Sequence, residues 1–236
     1  VDSYVDKPTG LRVHSLYRGD ARHLGKEMIE GIDLMVFDIQ DLGLRFYTYI
    51  ATLKNLMEDC AGIGLRLVVL DRPNPRGGEA VEGNIHGLDS LSFVGPHPLP
   101  IRYGLTIGEL AGLFASQCGI NCDLSVVPMS GWRRRNLFDE LGRNWMMTSP
   151  ALGHFSGALL YAGMCLFEGT NLSEGRGTSC PFELIGAPFI DAESLCREAR
   201  GLGLPGIKFT PAYFTPAASK HAGKLCSGIY SHVTDK

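Results

Sequence analysis

The sequence predicts an α/β protein built on a parallel sheet with helices on both faces. Short apolar runs alternate along the chain with stretches of helical periodicity, which is the pattern of repeated strand–helix–strand units. Two of the apolar runs end in clusters of polar residues, as strands do when their carboxyl ends border a ligand site. The 236 residues are enough for one large domain, or for one domain and part of a second.

The first 130 residues carry the elements of the predicted sheet. Residues 34–41 are an apolar run that turns acidic at its end, and residues 65–71 are a second run followed by turn chemistry. Between them, a helical face of apolar side chains ends at Gly62 and Gly64. Thr106 has a glutamate three residues later, which is the spacing of a capping box and predicts the start of a helix. The predicted order is a strand at 11–18, a helix at 26–32, a strand at 34–41, a helix at 46–60, a strand at 65–71, a helix from 106 to about 118 and a strand at 123–129.

The second half of the chain continues with a different mixture of elements. Residues 156–167 are apolar nearly all round, which predicts a buried helix. Residues 191–203 predict a capped amphipathic helix, and residues 207–214 and 227–233 predict two further strands.

The composition is that of an ordinary globular protein, with 44% hydrophobic and 20% charged residues. A net charge of −3 gives no electrostatic reason to bind nucleic acid or an anionic membrane, and no apolar run approaches the roughly 18 residues of a membrane span. The seven cysteines have no metal-binding spacing, so we expect them to be free and mostly in the core. Because the chain begins at Val1 and ends just after a strand pattern, we expect a fragment of a longer protein.

Polar residues crowd the ends of the two central strand patterns. Because the carboxyl ends of parallel strands share one edge of a sheet, we expect these side chains to converge and bind a polar substrate. The converging set is Asp38, Gln40, Asp41, Asp71, Arg72 and Asn74. Arg45, followed by Tyr47 and Tyr49, is suited to clamp a carboxylate or phosphate. The alternative is purely local structure, with helix capping by Asp41 and satisfied Asp–Arg pairs.

The stretch FEGTNLSEGRGT, residues 167–178, concentrates polar chemistry directly after an apolar run. Glu168 and Glu174 are candidates for the acid and the base or nucleophile of a glycosidase, and Asn171 and Arg176 for substrate binding. Its glycines would let a ligand approach the backbone closely. The Gly-Lys-Ser/Thr ending of a phosphate loop is missing. The alternative is that one glutamate pairs with Arg176 and has no further role.

Several segments resemble the exo-β-N-acetylmuramidases of the NamZ type. The resemblance covers nearly the whole chain, and its longest run is far more specific than a short motif match. The segments are LMVFDIQDLGLRFYTYI, VVLDRPNPRGG, VEGN, PLPIRYGLTIGELA and CLFEGTNLSEGRGTSCPFELIGAPFID.

The resemblance implies an enzyme that removes terminal N-acetylmuramic acid from the non-reducing end of peptidoglycan fragments, with no nicotinamide cofactor or metal ion. It implies a Rossmann-like catalytic domain over residues 1–178, lacking its N-terminal portion, and the start of a smaller α+β auxiliary domain over residues 179–236. The partners it implies are muropeptides or the MurNAc-GlcNAc disaccharide, and it favours a periplasmic or secreted location for the longer parent.

The substrate implied by the resemblance fits the polar residues already singled out. The lactyl carboxylate of N-acetylmuramic acid would face Arg45, Arg72 or Arg176, while its hydroxyl and acetamido groups suit Asp, Asn, Gln and Tyr side chains. This chain also departs from the family. Family members carry, before the point where this chain begins, a segment like FGPEHG whose glutamate is a leading candidate for the catalytic acid. The segment SPALGHFSGALLYAG differs from the usual pattern, which is closer to SPNIPTLDTALVYPG.

Within the chain, we expect the proton donor and the second catalytic group among four carboxylates: Glu168, Glu174, Glu82 and Asp41. One of them should lie in an apolar setting that raises its pKa. Retention and inversion both remain open, as does assistance by the acetamido group. Two rival functions also remain open. One is Mg²⁺-dependent phosphoryl transfer at Asp38 and Asp41, and the other is a fragment that binds muropeptides without cutting them.

Overall fold

The computed structural model describes residues 2–17 and 22–236, which form two compact units, 1–141 and 142–236. The domain boundary at residue 178 stays a prediction. The first unit contains β1 (Tyr4–Val5), β2 (Arg12–Val13), α1 (Lys26–Ile29), β3 (Leu34–Phe37), α2 (Tyr49–Ile63), β4 (Arg66–Leu70), α3 (Ile107–Gln117) and β5 (Leu124–Val127). Of the strand predicted at 11–18, only β2 is regular, and residue 18 lies outside the described residues.

The centre of the first unit is a parallel sheet with the strand order β3-β4-β5. Phe37 of β3 pairs with Val69 of β4, which pairs with Val126 of β5. Because the order advances in one direction, right-handed crossovers place α2 and α3 on the same face of the sheet. Their apolar sides and that face form the core. Its fully buried members include Ile50, Leu53, Met57, Leu67, Val69, Leu110 and Phe114.

The opposite face of this sheet carries exposed apolar side chains. Leu34 and Val36 of β3 and Val127 of β5 are each between 46% and 49% exposed. The α/β class with a parallel sheet flanked by helices is therefore confirmed, and the two long helices lie on one of its faces.

Helix ends follow the local signals only in part. Thr106 caps α3 by accepting from the Glu109 N–H, and Glu109 reaches back to the Thr106 N–H, so the predicted capping box is confirmed. Helix α2 begins at Tyr49, three residues later than predicted, because the residues before it form the turn that leaves the β3 end. It ends at Gly64, which takes the left-handed conformation (φ 70°) that glycine adopts without strain.

The second unit is an antiparallel sheet with helices. It contains α4 (Phe155–Met164), β6 (Leu184–Ala187), α5 (Ala192–Gly201), β7 (Ile207–Phe214) and β8 (Cys226–Val233). The sheet order is β6-β8-β7, and α5 packs against β7 and β8. The side chain of Asp191 caps α5, as the sequence predicted. Strand β6 was not predicted, because its four residues LIGA are too short to show a period.

The apolar run predicted as one buried helix at 156–167 is two elements. Helix α4 ends at Met164, and a 3₁₀ turn (Cys165–Gly169) follows. Only one side of α4 is buried, at Gly157, Ala158, Tyr161 and Met164. The prediction of a helix buried all round was wrong, because apolar composition does not by itself fix how many sides are covered.

The seven cysteines all lie in the described residues and are free thiols, as expected, but only Cys60, Cys196 and Cys226 are buried. Burial raises the pKa of the Cys60 thiol to about 11, which fits a core residue rather than a reactive one. Within the described residues, no helix combines the length and the apolar character that crossing a bilayer would take.

Candidate active site

The ends of β3 and β4 meet, and the polar residues that follow them form a strand-end cluster (Asp38, Gln40, Asp41, Asp71, Arg72 and Asn74). Arg72 Nε donates to Asp38 Oδ1 at 2.7 Å. Gln40 Nε2 donates to the carbonyl oxygens of Asp41 and Pro73, both at 2.8 Å. The two loops beyond the sheet are therefore tied together by side chains that follow its strands.

Asp41 is the most deeply buried acid of this cluster, with 6% of its surface exposed. Its Oδ2 accepts from the Gly43 N–H at 2.7 Å and from the Tyr103 hydroxyl, while its Oδ1 has no hydrogen-bond partner among the described residues. Burial raises the pKa of Asp41 to about 6, and the hydrogen bonds from Tyr103 and Gly43 oppose that rise. Among the four candidate carboxylates, Asp41 is the one in the apolar setting expected from the sequence.

Asp71 stabilises the start of α3. Its Oδ1 accepts from the Gly108 N–H at 2.8 Å, and its Oδ2 accepts from the Thr106 hydroxyl at 3.0 Å. A carboxylate beside the first free N–H groups of a helix also interacts favourably with the helix dipole. This contact accounts for Asp71 without a ligand.

Asn74 has a similar local role. It is 3% exposed, donates to the Leu105 carbonyl at 2.9 Å and accepts from the Arg76 N–H at 3.0 Å. A Cβ atom on Gly43 would lie 2.3 Å from the Asn74 side chain, so the backbone of one strand-end loop packs directly on this amide. Asn74 therefore fixes the relative position of the two loops.

The guanidinium of Arg45 donates hydrogen bonds to main-chain carbonyl oxygens. Its Nη1 donates to the carbonyl oxygens of Asn84 and Leu99, at 2.7 and 2.6 Å. Tyr47 is buried, and its ring meets the Tyr49 ring edge-on, with centroids 4.9 Å apart. These contacts tie the turn before α2 to two later loops.

Glu82 lies on the surface of the first unit. Its side chain is 64% exposed and pairs with Arg102 at 3.0 Å. The backbones of these two residues also form an isolated antiparallel bridge. Glu82 thus lies in a polar, solvated environment, unlike Asp41.

In the second unit, the motif loop (residues 167–178) is organised by charge. Arg176 donates to Glu168 Oε1 from Nε at 3.1 Å and from Nη2 at 2.5 Å, and both side chains are 39% exposed. Its Nε also lies 3.4 Å from Glu174 Oε1. Glu174 is 1% exposed, and its other oxygen lies 2.8 Å from Lys220 Nζ. One glutamate of the loop is thus buried between two cations, and the other is accessible and oriented by an arginine.

Asn171 is exposed, and its main-chain carbonyl oxygen lies 2.7 Å from His221 Nε2. This contact and the Lys220 contact join the motif loop to residues about 50 positions later.

Sequence reasoning missed Tyr103, Lys220 and Glu183. Tyr103 lies in the segment PLPIRYGLTIGELA and Glu183 in PFELIGAP, two of the segments that resemble the family. Both were missed because the residues that they contact are distant in sequence. Glu183 is 5% exposed and accepts from Ser156 Oγ at 3.0 Å and from the Tyr230 hydroxyl. No motif or spacing in the sequence around Lys220 marks it as a candidate.

Among residues 2–17 and 22–236, no group of three or more His, Cys, Asp or Glu side chains is close enough to hold a metal ion. A groove of about 380 Å³ between α5 and β7 is lined by residues such as Arg200, Leu204 and Phe209, none of which is a candidate from the sequence.

The deciding comparison is with family models. The model described as exo-β-N-acetylmuramidase NamZ, N-terminal, matches residues 1–156, and the corresponding C-terminal model matches residues 159–236. The chain belongs to the NamZ family. The family resemblance stated from the sequence is thus confirmed, and the two models together cover both structural units.

Individual relatives agree with this membership. The chain is 47% identical over all its 236 residues to the peptidoglycan β-N-acetylmuramidase NamZ of Bacillus subtilis (strain 168), and it spans 57% of that protein's length. Two solved DUF1343 family proteins from Bacteroides fragilis NCTC 9343 are similar in structure. One is 38% identical with a TM-score of 0.87, and the other is 30% identical with a TM-score of 0.76. The alignments cover 98% of this chain and 60% of each of those chains.

Proposed function

We propose that this NamZ-family chain belongs to an exo-β-N-acetylmuramidase, a glycosidase that releases terminal β-1,4-linked N-acetylmuramic acid from the non-reducing end of peptidoglycan fragments. The observation that carries the proposal is the 47% identity, over the whole chain, to a relative named peptidoglycan β-N-acetylmuramidase. The chain spans 57% of that relative, so both the reaction and the muropeptide substrate are proposals for this protein.

Glu168 is the proposed reacting carboxylate of the chain. A glycosidase needs a carboxylate that can reach the sugar or its attacking water, and Glu168 combines 39% exposure with two hydrogen bonds from Arg176. Glu174 holds Arg176 from the buried side, so it supports Glu168 rather than reacting. Asp41 has the raised pKa of an acid, but its oxygens are covered, so we assign it to the support of the strand-end loops.

The test uses two chromogenic β-glycosides, one of N-acetylmuramic acid and one of N-acetylglucosamine, which differ by the lactyl group. We expect turnover of the muramic substrate only. Glu168→Gln should lower kcat by about 10²–10⁴-fold, the usual contribution of a catalytic carboxylate.

The matched control is Glu198→Gln, which changes an exposed glutamate of α5 in the same way. It should keep full activity. Equal turnover of both glycosides, or full activity of Glu168→Gln, would contradict the proposal. No observation among the described residues favours the Mg²⁺-dependent or the binding-only alternative, and the latter would appear as muropeptide binding without any turnover.

A further inference from the structure

The ammonium group of Lys220 lies inside a cage of oxygen atoms. Its Nζ is 2.7 Å from the Phe167 carbonyl oxygen, 3.2 Å from that of Glu168 and 3.1 Å from that of Thr170. It is also 2.8 Å from Glu174 Oε2. Three carbonyls and a carboxylate around one positive charge are the oxygen ligands that proteins use for hard cations. Here the cation is a lysine of the same chain.

The ammonium of Lys220, whose side chain is 27% exposed, lies against a buried carboxylate. Glu174 is 1% exposed, and its Oε2 is buried and has no hydrogen bond of good geometry among the described residues. The positive charge nearest to this oxygen is the ammonium of Lys220, at 2.8 Å. A buried carboxylate is tolerated only when a charge or hydrogen bonds compensate its lost hydration. Without Lys220, the oxygen would remain buried beside three carbonyl oxygens, and the motif loop would have to rearrange to reach water.

The segment that delivers Lys220, residues 216–224, is fitted closely to the motif loop; we call it the support loop. Ser219 (φ 68°) and His221 (φ 58°), on either side of Lys220, both adopt the left-handed conformation that is costly for residues other than glycine. A Cβ atom on Gly177 would lie 2.5 Å from the Ala218 nitrogen. Strained residues persist where the surrounding contacts require them, so this geometry points to a defined position for Lys220.

We propose that Lys220 is a positioning residue, whose ammonium acts as a built-in cation that fixes the motif loop for sugar binding. Its carbonyl partners include Phe167, Glu168 and Thr170, so it holds the backbone on both sides of the Glu168 side chain. This inference rests on the proposed function in one respect, namely that Glu168 reacts with the sugar. The orientation of its carboxylate then depends on a residue that never touches substrate.

The first experiment compares Lys220→Met, which keeps the apolar stem, with Lys220→Arg, which keeps the charge. Lys220→Met should lower kcat by about 10–100-fold, since misplacing a reacting group by about 1 Å can cost that much. Amide hydrogen exchange at residues 170–178 should become about 10-fold faster or more, because charge-assisted hydrogen bonds that hold the loop are lost. The kcat and the loop exchange rate of Lys220→Arg should lie between those of the wild type and Lys220→Met, because a planar guanidinium cannot bring one nitrogen close to all four oxygens.

The matched control is Lys224→Met, a change of the same type at an exposed position of the support loop. It should leave kcat and loop exchange at wild-type values. A cation rescue adds a readout that a purely structural residue would not give. In Lys220→Ala, methylammonium or potassium ions should slow exchange in the motif loop and restore part of kcat, because either cation can occupy the vacated cage.

The outcomes separate this inference from the proposed function. If the wild-type chain hydrolyses no muramic glycoside, the proposed function fails, and hydrogen exchange alone decides the role of Lys220. Wild-type exchange in the motif loop of Lys220→Met would overturn the inference. If Lys220→Met does not fold, the comparison passes to Lys220→Arg, where a lower kcat and faster motif-loop exchange than in the wild type are expected. Wild-type values of both would show that the contacts of one nitrogen with four oxygens do not hold the loop, and would overturn the inference.

Discussion

Replacing Asp41 with asparagine should remove a pH dependence from the stability of the protein. Burial raises the Asp41 pKa from its ordinary value of 3.8 to about 6, so the folded protein holds this proton more tightly than the unfolded chain does. The stability gained from the protonated form is fully present below about pH 4 and is lost as the pH rises through 6. At 1.36 kcal/mol per pKa unit, the whole change is about 3 kcal/mol.

The assay is urea denaturation of the wild type and Asp41→Asn at a series of pH values. The free energy of unfolding of the wild type, relative to the variant, should fall by about 2–3 kcal/mol between pH 4 and pH 7.5. Asp38→Asn is the matched control, since Asp38 follows the same strand but is 46% exposed. If the difference in unfolding free energy between the wild type and Asp41→Asn stayed constant across this range, the raised pKa of Asp41 would be contradicted.

Three further changes test the packing and hydrogen bonds around this cluster. Gly43→Ala should cost about 1–3 kcal/mol more than Gly119→Ala, since both glycines have positive φ but only Gly43 would place its Cβ against another side chain; urea denaturation measures the difference. Thr106→Ala should lower stability by about 1–2 kcal/mol in the same assay, because α3 loses its capping box. Tyr103→Phe should raise the Asp41 pKa further, since the tyrosine hydrogen bond opposes the effect of burial. The pH window of stability loss should then move upward, and an unchanged window would contradict the assignment of that bond.

The parts of the fold that the sequence predicted are those encoded by neighbouring residues. The alternation of apolar runs and helical patterns gave the parallel sheet, and the Thr106–Glu109 spacing gave the start of α3. Where several local solutions fit, the prediction was less accurate. The apolar run at 156–167 fits one long helix or a helix followed by a 3₁₀ turn, and only packing decides between them.

The sequence was enough to predict that the residues of the strand-end cluster lie together, but not which contacts they make. The two strand ends meet because parallel strands place their carboxyl ends together, which sequence order is enough to foresee. Arg45 bonds to a carbonyl 54 residues away, and Lys220 to one 53 residues away. Pairings between residues so far apart in sequence depend on the folded backbone and leave no periodic pattern in the sequence. The backbone contacts of Arg45 and Lys220 were therefore not predicted.

The identity of the released sugar tests the proposed exo-β-N-acetylmuramidase activity most directly. The MurNAc-GlcNAc disaccharide, with muramic acid at its non-reducing end, would be incubated with the protein and the products measured by mass spectrometry. We expect equal amounts of free N-acetylmuramic acid and N-acetylglucosamine, with the reversed disaccharide GlcNAc-MurNAc left intact. Cleavage of the reversed disaccharide, or an intact MurNAc-GlcNAc after incubation with folded protein, would contradict this activity.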